Sequence, residues 1–197
     1  MGNSDHRLSV GKGKKWDILG GFQFTVLFQE GLLEHHTLLD IGCGPLRAGR
    51  LFIPYLNRGN YSGVEPNMNL VLEACDEELG ALTKLKQPIF YFNEVFDFGD
   101  GPYDYLLCHS VIGHLPISSI KQCFENASKV MHPESKFLFT FLAGDKDSGI
   151  DKWTYPEHIT YQPETLANLA GECGLEMQML HYWHPKATHT WALLQKQ

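Results

Sequence analysis

The chain has 197 residues, 43% of them hydrophobic and 20% charged, which suffices for one domain with a sizeable core and not for two. Its 23 acidic residues outnumber the 16 basic ones, for a net charge of −7, and this argues against a general electrostatic grip on nucleic-acid phosphates. No apolar run reaches membrane-spanning length, no signal-peptide pattern opens the chain, and five scattered cysteines without a C-x-x-C pair read as reduced thiols, so a cytoplasmic protein is expected.

In chain order, a polar, glycine-rich stretch over residues 1–13 reads as a flexible tail, followed by a single domain over 14–197. The basic cluster Lys12, Lys14 and Lys15 reads as solvated. Trp16, Leu19, Phe22, Val26 and Leu27 recur at helical spacing up to Gly31 and predict an amphipathic helix, which Gly20-Gly21 would bend. A strand is expected over Thr37 to Ile41, then a helix from Pro45 carrying Leu46, Leu51, Phe52 and Leu56. After the Asn57-Arg58-Gly59-Asn60 turn, Tyr61-Ser62-Gly63-Val64 reads as a second strand ending in Glu65. A helix over Asn67 to Leu79 closes on Gly80, a glycine C-cap.

Further strands are predicted at Ile89–Phe92, Tyr103–Cys108 and Phe137–Leu142, with a helix after Pro116 burying Ile117, Ile120, Phe124, Ala127 and Val130. A long loop (144–162), a helix from Pro163 to about Cys173, and a hairpin of Leu175–Tyr182 with Thr188–Leu194 complete the chain. Strand and helix alternate, so the fold class is α/β with a mainly parallel, doubly wound sheet, whose ligands bind at the carboxyl ends of the strands.

The most informative stretch is Leu38-Leu39-Asp40-Ile41-Gly42-Cys43-Gly44-Pro45. An apolar strand ends in an acid and a G-x-G turn; Gly42 and Gly44 lack the Cβ atoms that would hold a ligand off, and a following helix would offer unpaired N–H groups to an anion. About twenty residues on, Glu65 stands where nucleotide-binding α/β domains place an acid for a ribose diol. The two features point to an adenosyl cofactor. A dinucleotide fingerprint would need a small third residue, and Arg47 occupies that position.

The segments LLDIGCGPLR (38–47), YSGVEPN (61–67), YDYLLCHSVIGHLP (103–116) and the apolar strand 136–142 together resemble class I S-adenosylmethionine-dependent methyltransferases. The resemblance covers most of the chain from about residue 36 and implies a Rossmann-like, seven-stranded sheet with a C-terminal antiparallel hairpin. It implies S-adenosyl-L-methionine as cofactor. Asp40, Gly42, Gly44 and Glu65 would contact its amino-acid and ribose parts, with Glu65 accepting from both ribose hydroxyls. Arg47 would pair with its carboxylate or with a neighbouring acid, Pro66 and Asn67 would flank the adenine, and Phe96 with Asp97 would meet the ring and its amine. Ser110 is expected beside the cofactor. His109 and His114, after the fourth strand, are the catalytic candidates, because an imidazole accepts a proton near neutral pH. Elements before the first strand often cover the ligand in this family, which would bring Trp16 and Gln23 to the site.

Trp153, Tyr155, His158 and Tyr161 in the long loop, with His184 in the hairpin turn, are candidate acceptor contacts. His181, His184 and His189 do not share a strand face and no carboxylate or cysteine joins them, so no metal is expected. The Asn/Asp-Pro-Pro-aromatic segment of nucleic-acid and protein amide methyltransferases is missing, and the usual Pro-Gly-Gly turn before the fifth strand is His132-Pro133-Glu134-Ser135. A small-molecule acceptor is therefore expected, at oxygen first and nitrogen or sulfur next. The competing expectation is a non-catalytic cofactor-binding module that serves a partner protein.

Overall fold

The structure is a computed structural model that describes residues 7, 15–148, 152–186 and 188–197. The expected N-terminal tail (1–13) apart from Arg7, and Lys14 after it, lie outside the described residues, as do 149–151 of the long loop and Ala187 of the hairpin turn. The chain divides into two compact units, Met1–Glu94 and Val95–Gln197.

In the first unit, α1 (Trp16–Gln29) precedes β1 (Leu38–Ile41), α2 (Gly49–Tyr55), β2 (Tyr61–Val64), α3 (Met68–Ala74), α4 (Ala81–Lys86) and β3 (Ile89–Tyr91). The strands lie in the order β3-β2-β1, all parallel, and every residue of β1 and β2 is buried, as their near-continuous apolar sequences require. Along α1, Trp16, Leu19, Gly20, Gln23, Val26 and Leu27 are buried at helical spacing. The helix runs unbroken through Gly20-Gly21, and Gly20 has a packing reason: a Cβ there would lie 2.5 Å from the carbonyl oxygen of Arg47. The helix expected over 67–79 forms as α3, widens into a π-helical turn at Cys75–Leu79 and stops at Gly80, whose φ is +53°.

The helix expected from Pro45 begins only at Gly49. Gly44 and Leu46 both have positive φ (52° and 57°), and left-handed residues cannot belong to a right-handed helix, so 45–48 form a turn. Arg47 therefore lies in that turn, not in a first helical turn. The turn also absorbs helix donors, since Arg50 N donates to Leu46 O and Leu51 N to Ala48 O, so the glycines do not lead straight into the expected rank of unpaired N–H groups.

The second unit contains β4 (Tyr103–Cys108), a 3₁₀ turn (Ile112–His114), α5 (Ile117–Lys129), β5 (Met131–Ala143), β6 (Thr160–Tyr161), α6 (Pro163–Glu172), β7 (Leu175–Leu180) and β8 (Thr190–Lys196). The order is β4-β5-β8-β7, with β6 paired to β5; β4 and β6 run parallel to β5, while β8 is antiparallel to both β5 and β7. Phe124 of α5 packs on Phe137 and Phe139 of β5, with centroids 6.0 and 5.5 Å apart. The residues His132–Ser135 are taken up within β5 as an irregularity between the pairs Tyr103↔Met131 and Tyr105↔Lys136. Buried Ser135 secures it by accepting from His132 N and donating to Tyr103 O. Mainly parallel strands with an antiparallel C-terminal pair make this a Rossmann-like α/β fold. No helix among the described residues is long and apolar enough to cross a membrane.

Candidate active site

In the first unit, the polypeptide leaves β1 through Gly42 (φ 73°) and Gly44 (φ 52°), conformations that a Cβ would strain. The N–H groups of Gly42 and Cys43 both donate to Val64 O, at 2.8 and 3.1 Å, which ties the turn to the end of β2. Glu65 then reaches back across it: Oε2 accepts from Gly44 N at 3.2 Å and Oε1 from Asn67 N at 3.1 Å. Partial burial raises the Glu65 pKa, and these two hydrogen bonds oppose the rise. A carboxylate has about four acceptor directions, so each oxygen keeps capacity for a hydroxyl.

Asp40 is buried, and its Oδ2 accepts from the Tyr61 hydroxyl at 2.8 Å. Burial pushes its pKa up to about 6, against the Tyr61 hydrogen bond and the nearby Arg47 charge and with help from Glu65. No sequence motif marks Tyr61 as a site residue. The register pairs Asp40 with Gly63, so Tyr61, two residues earlier on the same strand face, is the diagonal neighbour; Gly49 makes space for it, since a Cβ there would lie 2.7 Å from the hydroxyl. Burial also lowers the pKa of Arg47, with Asp40 opposing. Pro66 and Asn67 are exposed, and the Asn67 side-chain carbonyl caps α3 by accepting from Leu70 N. Gln23 is buried and donates to Leu19 O within α1, and Trp16 is buried on the same helix, so both serve that packing.

In the second unit, Phe96 has a left-handed φ of 55°, and Asn126 of α5 pins the loop by donating to Val95 O and Phe96 O. Asp97 is exposed and accepts from Gly99 N. Beyond β4 the structure gathers five imidazoles. His109 Nδ1 lies 3.1 Å from Ser110 Oγ, and His109 Nε2 lies 3.0 Å from His184 Nε2. His184 stacks on His189 (4.7 Å, 8°), which lies 6.2 Å from His158, and His158 is 4.4 Å from His114. Ser110 is itself left-handed (φ 61°) and donates its N–H to Thr140 Oγ1.

The long loop is stitched to the 3₁₀ turn by Thr154 N to His114 O and Ile159 N to Gly113 O, which sets Trp153 and Tyr155 around His114 at 5.9 and 5.2 Å. Both aromatics are about half exposed and available to a ligand. Tyr161 is not: it sits buried in β6 with its hydroxyl donating to Leu115 O at 2.7 Å, and burial holds its pKa up to about 12. The expectation of Tyr161 as an acceptor contact is therefore corrected to a core role.

Burial lowers the pKa of His114, against its hydrogen bond to Glu157 O and with the charges of His158 and Lys186 adding to the fall. His158, at the exposed rim, is lowered by its partial desolvation and by Lys186, and His189 falls to about 3 through burial, Lys186 and the neighbouring imidazoles. These shifts favour the uncharged form of the three rings, which then offer one donor and one acceptor nitrogen each. The Glu157 carbonyl, 2.6 Å from His114 Nδ1, selects the tautomer that leaves Nε2 as an acceptor. Sequence spacing offers His189 only as a metal candidate; it lies immediately before β8, whose pairing with β5 brings it here, and its Nε2 is buried without a hydrogen bond. His181 is exposed and stands apart, and no group of three His, Cys, Asp or Glu among the described residues could hold a metal.

The chain matches the family described as "Methyltransferase domain" over residues 39–137, from β1 into β5. It belongs to that family. The methyltransferase resembles magnesium protoporphyrin IX methyltransferase from Synechocystis PCC 6803 with bound SAM (TM-score 0.71, 17% identity, covering 98% of this chain and 90% of that one). It also resembles a S-adenosylmethionine-dependent methyltransferase from Clostridium acetobutylicum ATCC 824 (0.66, 13%, 96% and 95%). A third likeness is to the glycopeptide N-methyltransferase MtfA complexed with SAM (0.70, 8%, 90% and 94%). No curated protein matches its sequence significantly. The protein is thus an enzyme of the S-adenosylmethionine-dependent class, not a non-catalytic module. S-adenosylmethionine is its cofactor, and the first-unit turn suits it: two glycines with no Cβ, a carboxylate for a diol, and a buried acid beside an arginine.

Proposed function

We propose that the enzyme methylates a small, ring-bearing acceptor, at oxygen in preference to nitrogen or sulfur. The carrying observation is the imidazole cluster flanked by exposed Trp153 and Tyr155. A hydroxyl acceptor must lose its proton as its oxygen becomes a nucleophile, and a neutral histidine is suited to take it at pH 7. Bound S-adenosylmethionine supplies an electrophilic methyl group on a sulfonium. Glu65 holds the ribose, the Gly42–Gly44 turn and Asp40 with Arg47 hold the amino-acid end, Pro66 and Asn67 flank the adenine, and Phe96, Asp97 and Ser110 complete the cofactor contacts.

On the acceptor side, Trp153 and Tyr155 provide flat apolar surface, His158 and His184 add polar contacts, and His114 Nε2 accepts a hydrogen bond that orients the acceptor. His109 is the proton acceptor. Two solved structures of this fold are named for a porphyrin and a glycopeptide, so the fold tolerates acceptors of different size. The family match runs from the first unit into the second, which supports one methyltransferase domain over 14–197. The acidic charge favours a small-molecule partner over nucleic acid, and a cytoplasmic setting agrees with the free cysteines.

The test is calorimetric titration with S-adenosylmethionine and S-adenosylhomocysteine, then S-adenosylhomocysteine release with panels of phenols, carboxylic acids, amines and thiols. Saturable heat with product from phenols or acids supports the proposal. Turnover confined to amines would overturn the oxygen assignment.

A further inference from the structure

We infer that Ser110, His109 and His184 form a proton relay, in which Ser110 receives the acceptor's proton and His184 is its terminus. The inference rests on the acceptor-site reading above and extends it, because His109 becomes the middle of a chain and not the final base.

The geometry imposes the coupling. His109 Nε2 and His184 Nε2 face each other at 3.0 Å, and both rings are buried. Two nitrogens at that distance share one proton; two bare lone pairs or two N–H groups would repel, so the tautomer of one ring dictates that of the other. At one end, His109 Nδ1 meets Ser110 Oγ at 3.1 Å, and a hydroxyl serves as donor or acceptor. At the other, His184 Nδ1 lies 2.8 Å from Lys186 O and 2.9 Å from Lys186 N, so a single backbone residue offers it an acceptor and a donor.

Two complete registers result. In the first, Ser110 O–H donates to His109 Nδ1, His109 Nε2–H to His184 Nε2, and His184 Nδ1–H to Lys186 O. In the second, Lys186 N–H donates to His184 Nδ1, His184 Nε2–H to His109 Nε2, and His109 Nδ1–H to Ser110 Oγ. Each register gives every imidazole nitrogen of the pair a partner, but they are not equal: the Lys186 N–H directed at His184 Nδ1 favours the second, and an acceptor hydroxyl donating to Ser110 Oγ favours the first. Ser110 is the only half-exposed member, and it is held there at a left-handed φ of 61° by the bond from its N–H to Thr140 Oγ1, a strained position of the sort that marks working sites.

Starting from the first register, an acceptor hydroxyl donates to Ser110 Oγ. As its oxygen forms the new O–C bond with the O–H electron pair, and the C–S pair stays with sulfur, its proton passes to Ser110 Oγ. The serine's own proton moves to His109 Nδ1, and the His109 Nε2 proton moves to His184 Nε2. One proton has entered and one positive charge has appeared, on His184, whose Nδ1–H still donates to Lys186 O. The groups facing that charge are His189, stacked on His184, with His158 and His114 beyond it and the Lys186 ammonium on the same turn. Among these named groups there is no anion to hold the imidazolium, and its Nδ1 proton leaves by way of Lys186 O, the acceptor 2.8 Å away on a partly exposed residue, which gives the second register.

The test uses the full chain labelled with ¹⁵N-histidine. Long-range ¹H–¹⁵N spectra should show a through-hydrogen-bond coupling between His109 Nε2 and His184 Nε2, and Ser110→Ala should shift the tautomer balance of both rings together. Absence of the coupling, or a His184 signal indifferent to Ser110→Ala in a variant that melts normally, would overturn the relay whatever the substrate. With a phenol that turns over at saturating S-adenosylmethionine, Ser110→Ala should lower kcat at least tenfold and change its pH dependence, while the variant melts like the parent. Normal kcat in Ser110→Ala would equally overturn it. A coupling present in a protein that methylates no hydroxyl compound would instead refute the acceptor proposal and leave the relay standing as a proton path.

Discussion

Replacing Asp40 with asparagine should make the enzyme more stable at neutral pH and worse at holding its cofactor. Asp40 is fully enclosed, and burial raises its carboxyl from an ordinary 3.8 to about 6 despite the Tyr61 hydroxyl and Arg47. An acid raised on folding binds its proton more tightly in the native state, so stability falls as pH rises between the two values and the penalty persists above them. The gap corresponds to about 3 kcal/mol at pH 7, roughly halved by pH 5 and mostly gone by pH 4.

Asparagine keeps an oxygen for the Tyr61 hydroxyl and discards the buried charge; the attraction to Arg47 that it also discards is already counted in the raised pKa. Because a chain of this size gains about 2–4 °C per kcal/mol, Asp40→Asn should melt several degrees above the parent at pH 7.5, with the difference narrowing steadily toward pH 4.5. Differential scanning calorimetry across that range measures it, and calorimetric titration of S-adenosylmethionine should show weaker binding in the same variant. A variant that melts no higher at pH 7.5, or whose difference does not change with pH, would refute the reasoning from burial.

Glu65→Ala should weaken S-adenosylmethionine binding by about 1.5–3 kcal/mol, the range for hydrogen bonds to a charged group, with a minor change in melting temperature; an unchanged titration isotherm would remove Glu65 from the cofactor site. Trp153→Ala and Tyr155→Ala should raise the acceptor KM several-fold at constant cofactor affinity, since both side chains are half exposed, whereas a large drop in melting temperature with normal KM would make them structural. Tyr161→Phe should behave oppositely, costing about 1–2 kcal/mol in chemical denaturation because buried Leu115 O loses its donor, while acceptor KM stays put. Gly20→Ala places a methyl 2.5 Å from the Arg47 carbonyl oxygen, and backbone cannot yield cheaply there, so it should destabilise by about 1–3 kcal/mol; a neutral effect in the same denaturation assay would contradict the close approach of α1.

What the sequence determined by itself was set by short-range rules. The buried runs 38–41, 61–64 and 103–108 are strands because continuous apolar stretches of that length suit a parallel sheet covered on both faces, and the hairpin of β7 and β8 comes from two β-like runs joined by a turn. The glycine turn and Glu65 were legible for the same reason, since a missing Cβ and an acid at a strand end are properties of single positions.

Only the tertiary structure decided matters of partnership. Asp40 finds Tyr61 because β1 and β2 pair in one register and Gly49 leaves the space, and nothing local announces a diagonal cross-strand contact. Arg47 leaves the helix because two left-handed residues beside it displace the helix start by four positions. His189 joins four other imidazoles, and Tyr161 retreats to the core, because pairing of β8 and β6 with β5 fixes where each side chain lands. Sequence spacing specifies which face of an element a side chain occupies; which residue from a distant segment meets it depends on register and packing, and the chemistry of the histidine cluster is made entirely of such meetings.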